Sequence, residues 1–445
     1  MTTVRVRGER SVTRCIAFEA LHRLAGRALG GALSLVALHV AVRYFGAGQW
    51  GDVVAATAWV GIFAVLGEFG IATAGSRDLP DPEGSSPVAT SATFVLGLSS
   101  SLVAALVMVV VALCVYHGRP GILHLVYALA PMVPFAVVWT IAGTFLSTYR
   151  RSDLRAVLDV LSSLLLVGAA VAVLEDRLDT TWYAVGLVCG TATTAVLAML
   201  LIRHVVAFRL TLRGVRRALV ERIAATHVVG IVIVSNLLYT YADIVLLSVR
   251  TTTSQVGYYG VASQVAGFAM TLPLLLLNPA VGRFVTGDDA ERARLLQFTL
   301  DVLVGGVLPA CVVLFIVARP VMDLIGGVAG AGATSAFEIL LVATVLLFAS
   351  SPVVSALVWT RSEGVAAKIF VLALVVNVGM NWTLDPRLGA RGAALAMIAS
   401  EAAVCIAGMV AYRSRTGFVP RARVPMLSAG AAAALAALWQ AVRHL

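Results

Sequence analysis

GQWGDVVAAT, residues 48–57, returns past the middle of the chain as SQVGYYGVAS, residues 254–263. Gln49-Trp50-Gly51 matches Gln255-Val256-Gly257 at an offset of 206 residues, and each copy follows an arginine, Arg43 or Arg250. Both copies open a long apolar run. The number and order of such runs on either side of the second copy decide what the repeat means.

The chain has 445 residues, of which 60% are hydrophobic and 13% charged, and a mean hydropathy of +0.94. Soluble domains carry about 25% charged residues, so the composition is that of an integral membrane protein. Apolar runs lie at 24–44, 51–75, 87–115, 121–148, 154–174, 181–202, 223–249, 256–284, 296–318, 333–358, 364–384, 391–412 and 425–442. Each is close to the roughly 20 residues a helix needs to cross a bilayer. A basic stretch at 203–222 separates six runs from the next six, and the last run is short and Ala-rich. The expected fold is an all-α polytopic membrane protein with 12 core transmembrane helices in two six-helix lobes, plus a short thirteenth helix. The lobes are expected at 1–202 and 223–412, with 203–222 a basic cytoplasmic linker helix at the interface. Residues 413–445 are read as a second basic linker and the thirteenth helix. Six is even, so both lobes cross in the same sense and form a parallel repeat about an axis along the membrane normal. A substrate path then runs between them.

With the N-terminus in the cytoplasm, 25 of the 33 Lys and Arg residues fall on the cytoplasmic side. That bias supports both the helix count and the orientation. It also accounts for the net charge of +10 without nucleic acid. The first apolar run is longer than a signal-peptide core and has no small-residue cleavage site after it, so it is read as a retained helix. The five cysteines are scattered singly, which gives no disulfide or metal pattern. Lys368 is the one lysine and lies outside any phosphate-binding loop motif. HExxH and GxSxG are absent, and no large outer loop rich in acids and aromatics is present to hold a sugar acceptor. The reading is therefore a non-enzyme with no catalytic residues, no cofactor and no metal.

Six acids fall within or beside the runs, and Glu68, Asp243 and Glu401 are the deepest. A charge at mid-bilayer costs about 3 kcal/mol or more and should face protein or a wet cavity. These three are candidates for ion coupling or for the cavity wall; the competing reading makes each a structural partner of a nearby Arg or hydroxyl. Arg27 and Arg77 stand at the cytoplasmic ends of the first two helices, where an arginine fork suits a pyrophosphate. The competing reading makes them snorkelling anchors. His39 and Asn377 are read as hydrogen-bonding packing residues. Pro131, Pro134, Pro273, Pro279, Pro309 and Pro352 lie inside spans and favour kinks. In NWTLDPRLGARGAALA, residues 381–396, Pro386 is expected to close the eleventh helix. Gly389 and Gly392 then permit a tight turn, and Gly392-Ala393-Ala394 gives the twelfth helix a small packing face.

Four stretches resemble the oligosaccharide and polysaccharide flippase family of the multidrug/oligosaccharidyl-lipid/polysaccharide exporter superfamily. They are VRYFGAGQWGDVVAA (42–56), LGEFGIATAGSRDL (66–79), YADIVLLSVRTTTSQVGYYGVASQV (241–265) and the Asn381…Pro386-x-x-Gly389-x-x-Gly392-Ala393-Ala394 pattern. Phe45, Trp50 and Glu68 depart from the family pattern. The resemblance implies two six-helix lobes around a central cavity, and movement of undecaprenyl-pyrophosphate-linked oligosaccharide from the inner to the outer leaflet for surface polysaccharide biosynthesis. It implies a bacterial inner-membrane location, with basic cavity residues on the diphosphate. Polysaccharide polymerase and glycosyltransferases are candidate partners of what is expected to be a monomer. A Na⁺- or H⁺-coupled exporter of small organic cations with the same fold, and a non-transporting component of glycan assembly, are the alternatives.

Overall fold

The first element, α1 (Thr3–Glu68), runs for 66 residues. A straight helix of that length would measure about 100 Å, against about 30 Å of hydrocarbon. It is broken at Gly46, whose φ of 69° and ψ of 175° are not helical and suit a residue without a Cβ. Gly26 and Thr57, which a straight helix would hold about 46 Å apart, line one cavity. The chain therefore turns back at Gly46, and α1 supplies the first two spans.

The structure is a computed structural model that describes residues 3–77, 87–149, 151–205, 215–270, 284, 286–360 and 362–421. The second span is completed by α2 (Ile71–Arg77), and α3 (Pro87–Val115) is the third. The fourth consists of α4 (Pro120–Leu129) and α5 (Met132–Thr148), bent by 47° where Pro131 falls. Next come α6 (Ser152–Glu175), α7 (Thr180–Val205), α8 (Val215–Arg250) and α9 (Thr253–Met270). The chain continues with α10 (Asp289–Ile316), the short α11 (Ala318–Gly326), α12 (Val328–Trp359), α13 (Glu363–Leu388) and α14 (Ala390–Thr416).

Among the described residues, nine helical stretches are long and apolar enough to cross a membrane, and the bent pair makes ten. The stretch Ala28–Ser76 is the reversed pair and counts twice. α9 opens the next apolar run of the sequence, and residues 271–283 lie outside the described residues. Among the described residues this gives eleven spans, with α9 at the place of the twelfth. The expected linker at 203–222 is divided: 203–205 close α7, 215–222 open α8, and 206–214 lie outside the described residues. Residues 425–442, Pro273 and Pro279 also lie outside them. α10 and α12 run through Pro309 and Pro352.

The apolar surface is arranged for lipid. Leu102, Val103, Leu106, Val107 and Val110 of α3 are all exposed, whereas the closest helix contacts are made by small residues. This is the pattern expected where helix packing, not exclusion of water, holds spans together.

The repeat seen in the sequence is a physical contact. A Cβ on Gly51 would fall on the carbonyl of Thr253, and one on Gly257 would fall on the carbonyl of Ala47. Through the 206-residue offset, 47 corresponds to 253 and 51 to 257, so the two contacts are copies of each other. Gly260 meets Val54, its own counterpart, and Gly48 meets Ser254. A pair that contacts its own counterpart lies on a two-fold axis, as in an isologous interface. The pseudo-two-fold axis therefore passes between the second and eighth spans, where only glycine lets the backbones touch.

A second pair of contacts obeys the same symmetry. Tyr116 Oη lies 2.8 Å from Ser248 Oγ, and Arg119 donates to the carbonyls of Thr251 at 2.7 Å and Val249 at 3.4 Å. Across the axis, Arg43 donates to the carbonyls of Asp323 and Leu324 at 3.2 Å, and His39 Nδ1–H donates to Leu324 at 2.8 Å. Positions 119 and 249 correspond to 325 and 43. In both clasps a guanidinium donates to carbonyls of a helix C-terminus, where the helix dipole favours a cation. His39, read as a packing residue, is part of this clasp.

The 381–396 stretch corrects one expectation. Pro386 lies within α13, which continues to Leu388 and ends at Gly389 with φ 56°. A proline so near the C-terminus removes only one late hydrogen bond, so the helix is stopped by the left-handed glycine instead. The small face forms as expected: a Cβ on Gly392 would meet the backbone of Leu384 at 2.8 Å. Gln255, from the second repeat copy, accepts from the Ala390 N–H at 3.0 Å. The two stretches that stand out in the sequence are thus packed together.

Candidate functional site

A cavity of about 490 Å³ opens beneath the glycine contact. Both halves of α1, α6 and α7 form most of its wall, and α9 closes the remaining side with Gln264, Gly267 and Phe268. It therefore lies between the two lobes. Its closed end holds Trp50 and Tyr183, whose rings meet edge to face with centroids 6.1 Å apart. Trp50 is adjacent to Gly51, so the contact on the pseudo-axis seals that end. Gly26 and Asp159 line the opposite end, toward the arginine-rich loops.

Arg27 follows Gly26 on α1, which puts its backbone at the open end of the cavity. Arg77 is the last residue of α2. The side chains of both, and with them the fork expected from the sequence, lie outside the described residues.

Glu68 is buried and does not line the cavity. The second span breaks just after it, at Phe69 and Gly70, with φ of 39° and 77°. Its two carboxylate oxygens accept from the N–H of Gly70 at 3.0 Å and of Ala72 at 2.7 Å. It caps the first turn of α2, where backbone donors would otherwise be unpaired. Glu68→Ala is therefore expected to destabilise the protein by about 2 kcal/mol, read as a lower melting temperature in detergent. Glu68→Gln, which keeps one acceptor, loses less. Transport per folded molecule stays unchanged in the glutamine variant; a coupling defect there at normal stability would contradict the capping role.

Glu401 is 1% exposed and is likewise occupied. It accepts from Tyr239 Oη at 2.9 Å and from Ser350 Oγ at 3.3 Å, joining α14 to α8 and α12. Asp243, four residues beyond Tyr239 on the same face of α8, is different. One oxygen accepts from Tyr259 Oη of α9. The other, Oδ1, is buried with no partner.

The missing component is on α13. Asn377, Asn381 and Asp385, spaced by four, form one face of that helix, and all three are fully buried. Asn381 donates to Asn377 at 2.8 and 2.9 Å. Both oxygens of Asp385, Oδ1 of Asn381 and the amide donor Nδ2 of Asn377 are buried without partners. Asp385 is within electrostatic reach of both Asp243 and Arg250. Buried polar atoms are nearly always paired, so four unpaired oxygens in one lobe describe a place for a proton or a hard cation. Among the described residues no group of three or more His, Cys, Asp or Glu is arranged to hold a metal ion. Two carboxylates and an amide fit a monovalent cation better than a transition metal. Asp385 escaped the sequence reading because Pro386 was taken to put it in a loop. The four-residue spacing was the signal that could have found it.

Membrane spans in two halves related by the repeat, a cavity between them and a contact that seals one end together make a multi-pass transporter fold. The family model described as "Polysaccharide biosynthesis protein" matches residues 24–285, and the chain belongs to that family. No curated protein matches the sequence. Among solved structures, the chain is similar to the lipid II flippase MurJ in an inward closed conformation, at 12% identity, with a TM-score of 0.76, over 95% of this chain and 92% of that one. It is also similar to an inward-facing multidrug resistance MATE family transporter of the MOP superfamily, at 15% identity and a TM-score of 0.69, over 89% and 98% of the two chains. A third neighbour is a MOP superfamily transporter from Pyrococcus furiosus, at 14% identity and a TM-score of 0.59, over 90% and 95%. At these identities the likeness is one of fold.

Proposed function

We propose that this protein moves undecaprenyl-pyrophosphate-linked oligosaccharide from the cytoplasmic to the outer leaflet of a bacterial inner membrane, by alternating access between its two lobes. The observation that carries the reading is the cavity between the lobes, sealed at the arginine-poor end by the Gly51–Gly257 contact and lined toward the arginine-rich end by Gly26. With the N-terminus in the cytoplasm, as the arginine distribution favours, this is a conformation ready to receive substrate from inside. Family membership supports a role in surface polysaccharide assembly, beside a polymerase and glycosyltransferases. Arg27 and Arg77 meet the diphosphate, as bidentate donors for its oxygens.

Of the three acids expected to act in coupling, Asp243 carries the role together with Asp385 and Asn381. A bound cation or proton neutralises their unpaired oxygens. Glu68 and Glu401, whose oxygens are occupied, hold helices in place. A second reading, an exporter of small organic cations, draws on Asp159, the single charged residue among the described lining residues.

Substitution separates the two. Arg27→Ala and Arg77→Ala are each expected to lower glycan export in cells about tenfold at unchanged protein level, because each removes a charge-assisted contact. Asp159→Asn leaves export largely intact. Loss of drug resistance in Asp159→Asn, with wild-type glycan export in both arginine variants, would favour the cation exporter and overturn the flippase.

A further inference from the structure

The cavity wall is chemically uneven. Toward the arginine-rich end lies Asp159, with Arg27 next in sequence to the lining residue Gly26. The rest of the wall carries no charge among the described residues: it offers Trp50, Tyr183, Thr57, Ser34, Ser163 and Gln264. Three features of this part point to a ligand.

Gln264 is an exposed residue of α9, a helix packed against both α1 and α12, and its amide makes no hydrogen bond among the described residues. It presents both donors and an acceptor. Trp50 is 3% exposed and its indole N–H is buried without an acceptor. A buried unpaired donor is costly unless something else satisfies it. Finally, Ser34 and Ser163 approach to 3.5 Å across the wall, each also donating to its own helix, to Gly30 at 2.9 Å and Asp159 at 3.1 Å. Their lone pairs remain as acceptors at the cavity surface.

Such a wall suits a neutral group rich in hydroxyls, which donate and accept together, with an apolar face to set against aromatic rings. It does not suit a diphosphate, which calls for cationic donors. We propose that the closed end of the cavity is a subsite for a neutral sugar ring of the lipid-linked glycan, read by Gln264 and Trp50, while the diphosphate stays at the open end near Arg27. This rests on the flippase reading and assigns it a polarity: sugar deepest, diphosphate at the mouth. The α9 side of the subsite comes from the second lobe, so a bound sugar touches both lobes. Gln264 and Trp50 set specificity for the sugar. They do not hold the lipid.

The experiment uses the full-length protein in nanodiscs and two probes. One is undecaprenyl pyrophosphate; the other is the pool of polyprenyl-pyrophosphate glycans extracted from the producing cells. Gln264→Leu and Trp50→Phe are compared with wild type; the first site is exposed, and the second variant keeps an aromatic ring. The expected result is about a tenfold loss of affinity for the glycan probe in each variant, with the affinity for undecaprenyl pyrophosphate within about twofold. Equal loss for both probes, or loss for neither, overturns the sugar subsite and leaves the flippase reading standing. A wild-type protein that binds undecaprenyl pyrophosphate and the glycan pool equally well also overturns the subsite. One that binds neither probe overturns the flippase reading itself.

Discussion

Gly51→Val will hold the arginine-poor end of the protein open and lower export by about tenfold to a hundredfold. The contact it disturbs is backbone against backbone: a side chain at position 51 would fall on the carbonyl of Thr253, which no rotamer change can move aside. Overpacking of this kind costs about 1–3 kcal/mol. The cost falls only on the conformation in which the second and eighth spans touch. It therefore acts as a shift in population away from the sealed state, of about the same factor as the loss in export. The variant should fold, since the contact is confined to one end of the bundle. Ala47→Cys, in a background without the native cysteines, reports the change: a membrane-impermeant thiol reagent should label it faster when Gly51→Val is also present than when Gly51 is kept. The pseudo-two-fold makes a second demand. Gly257→Val must act like Gly51→Val, because its Cβ meets Ala47 in the equivalent contact. The two changes together must be less than additive, since either one alone already separates the spans. Wild-type labelling and wild-type export in both variants would show that the Gly51–Gly257 contact is not a seal.

Asp385→Asn and Asp243→Asn form the second large prediction, and here function and stability move in opposite directions. The carboxylates are buried with three of their four oxygens unpaired. A buried carboxylate without hydrogen-bond partners destabilises the fold even with the Arg250 cation in electrostatic reach of Asp385, so the neutral, nearly isosteric asparagine is expected to raise the melting temperature. The same change removes the group that would bind a cation or proton. Coupling free energies are about 1–3 kcal/mol, so export driven by an ion gradient should fall about fivefold to a hundredfold. In Asp243→Asn the amide oxygen can still accept from Tyr259, so local geometry is kept. Glu401→Gln serves as the contrast: its hydrogen bonds to Tyr239 and Ser350 are partly retained, and only a small loss is expected. A more stable but uncoupled Asp385→Asn variant supports the assignment; unchanged export under a measured ion gradient removes Asp385 from it.

Much of this architecture is written in local signals. The spans are long apolar runs, and their number is fixed by where arginine falls. The repeat is carried by Gly51 and Gly257, and its legibility has a physical reason: backbones can touch there only if both residues lack a Cβ. What the sequence hides are features that depend on two helices at once. Glu68 resembles a coupling acid because it is deep in a span, yet its role comes from a break after Phe69 that apolar periodicity does not reveal. Asp385 resembles a loop residue because proline usually ends a helix, yet α13 continues three residues beyond it to Leu388. Arg43 and Arg119 look like charges on the wrong side of the membrane until the carbonyls they satisfy in the opposite lobe are located. Trp50 and Gln264 are ordinary members of an apolar run and become notable only through a buried unpaired N–H beside a cavity and an exposed amide in its wall.

The central claim is that the two lobes carry a lipid-linked glycan between leaflets through the cavity they share. Its most direct test is a leaflet-resolved assay in liposomes. Purified protein is reconstituted with the extracted polyprenyl-pyrophosphate glycans, and a membrane-impermeant lectin or glycosidase samples the outer leaflet with time. The expected result is glycan reaching the outer leaflet faster than in protein-free liposomes, with the acceleration lost in Gly51→Val. Rates equal to protein-free liposomes under every imposed ion gradient would contradict it.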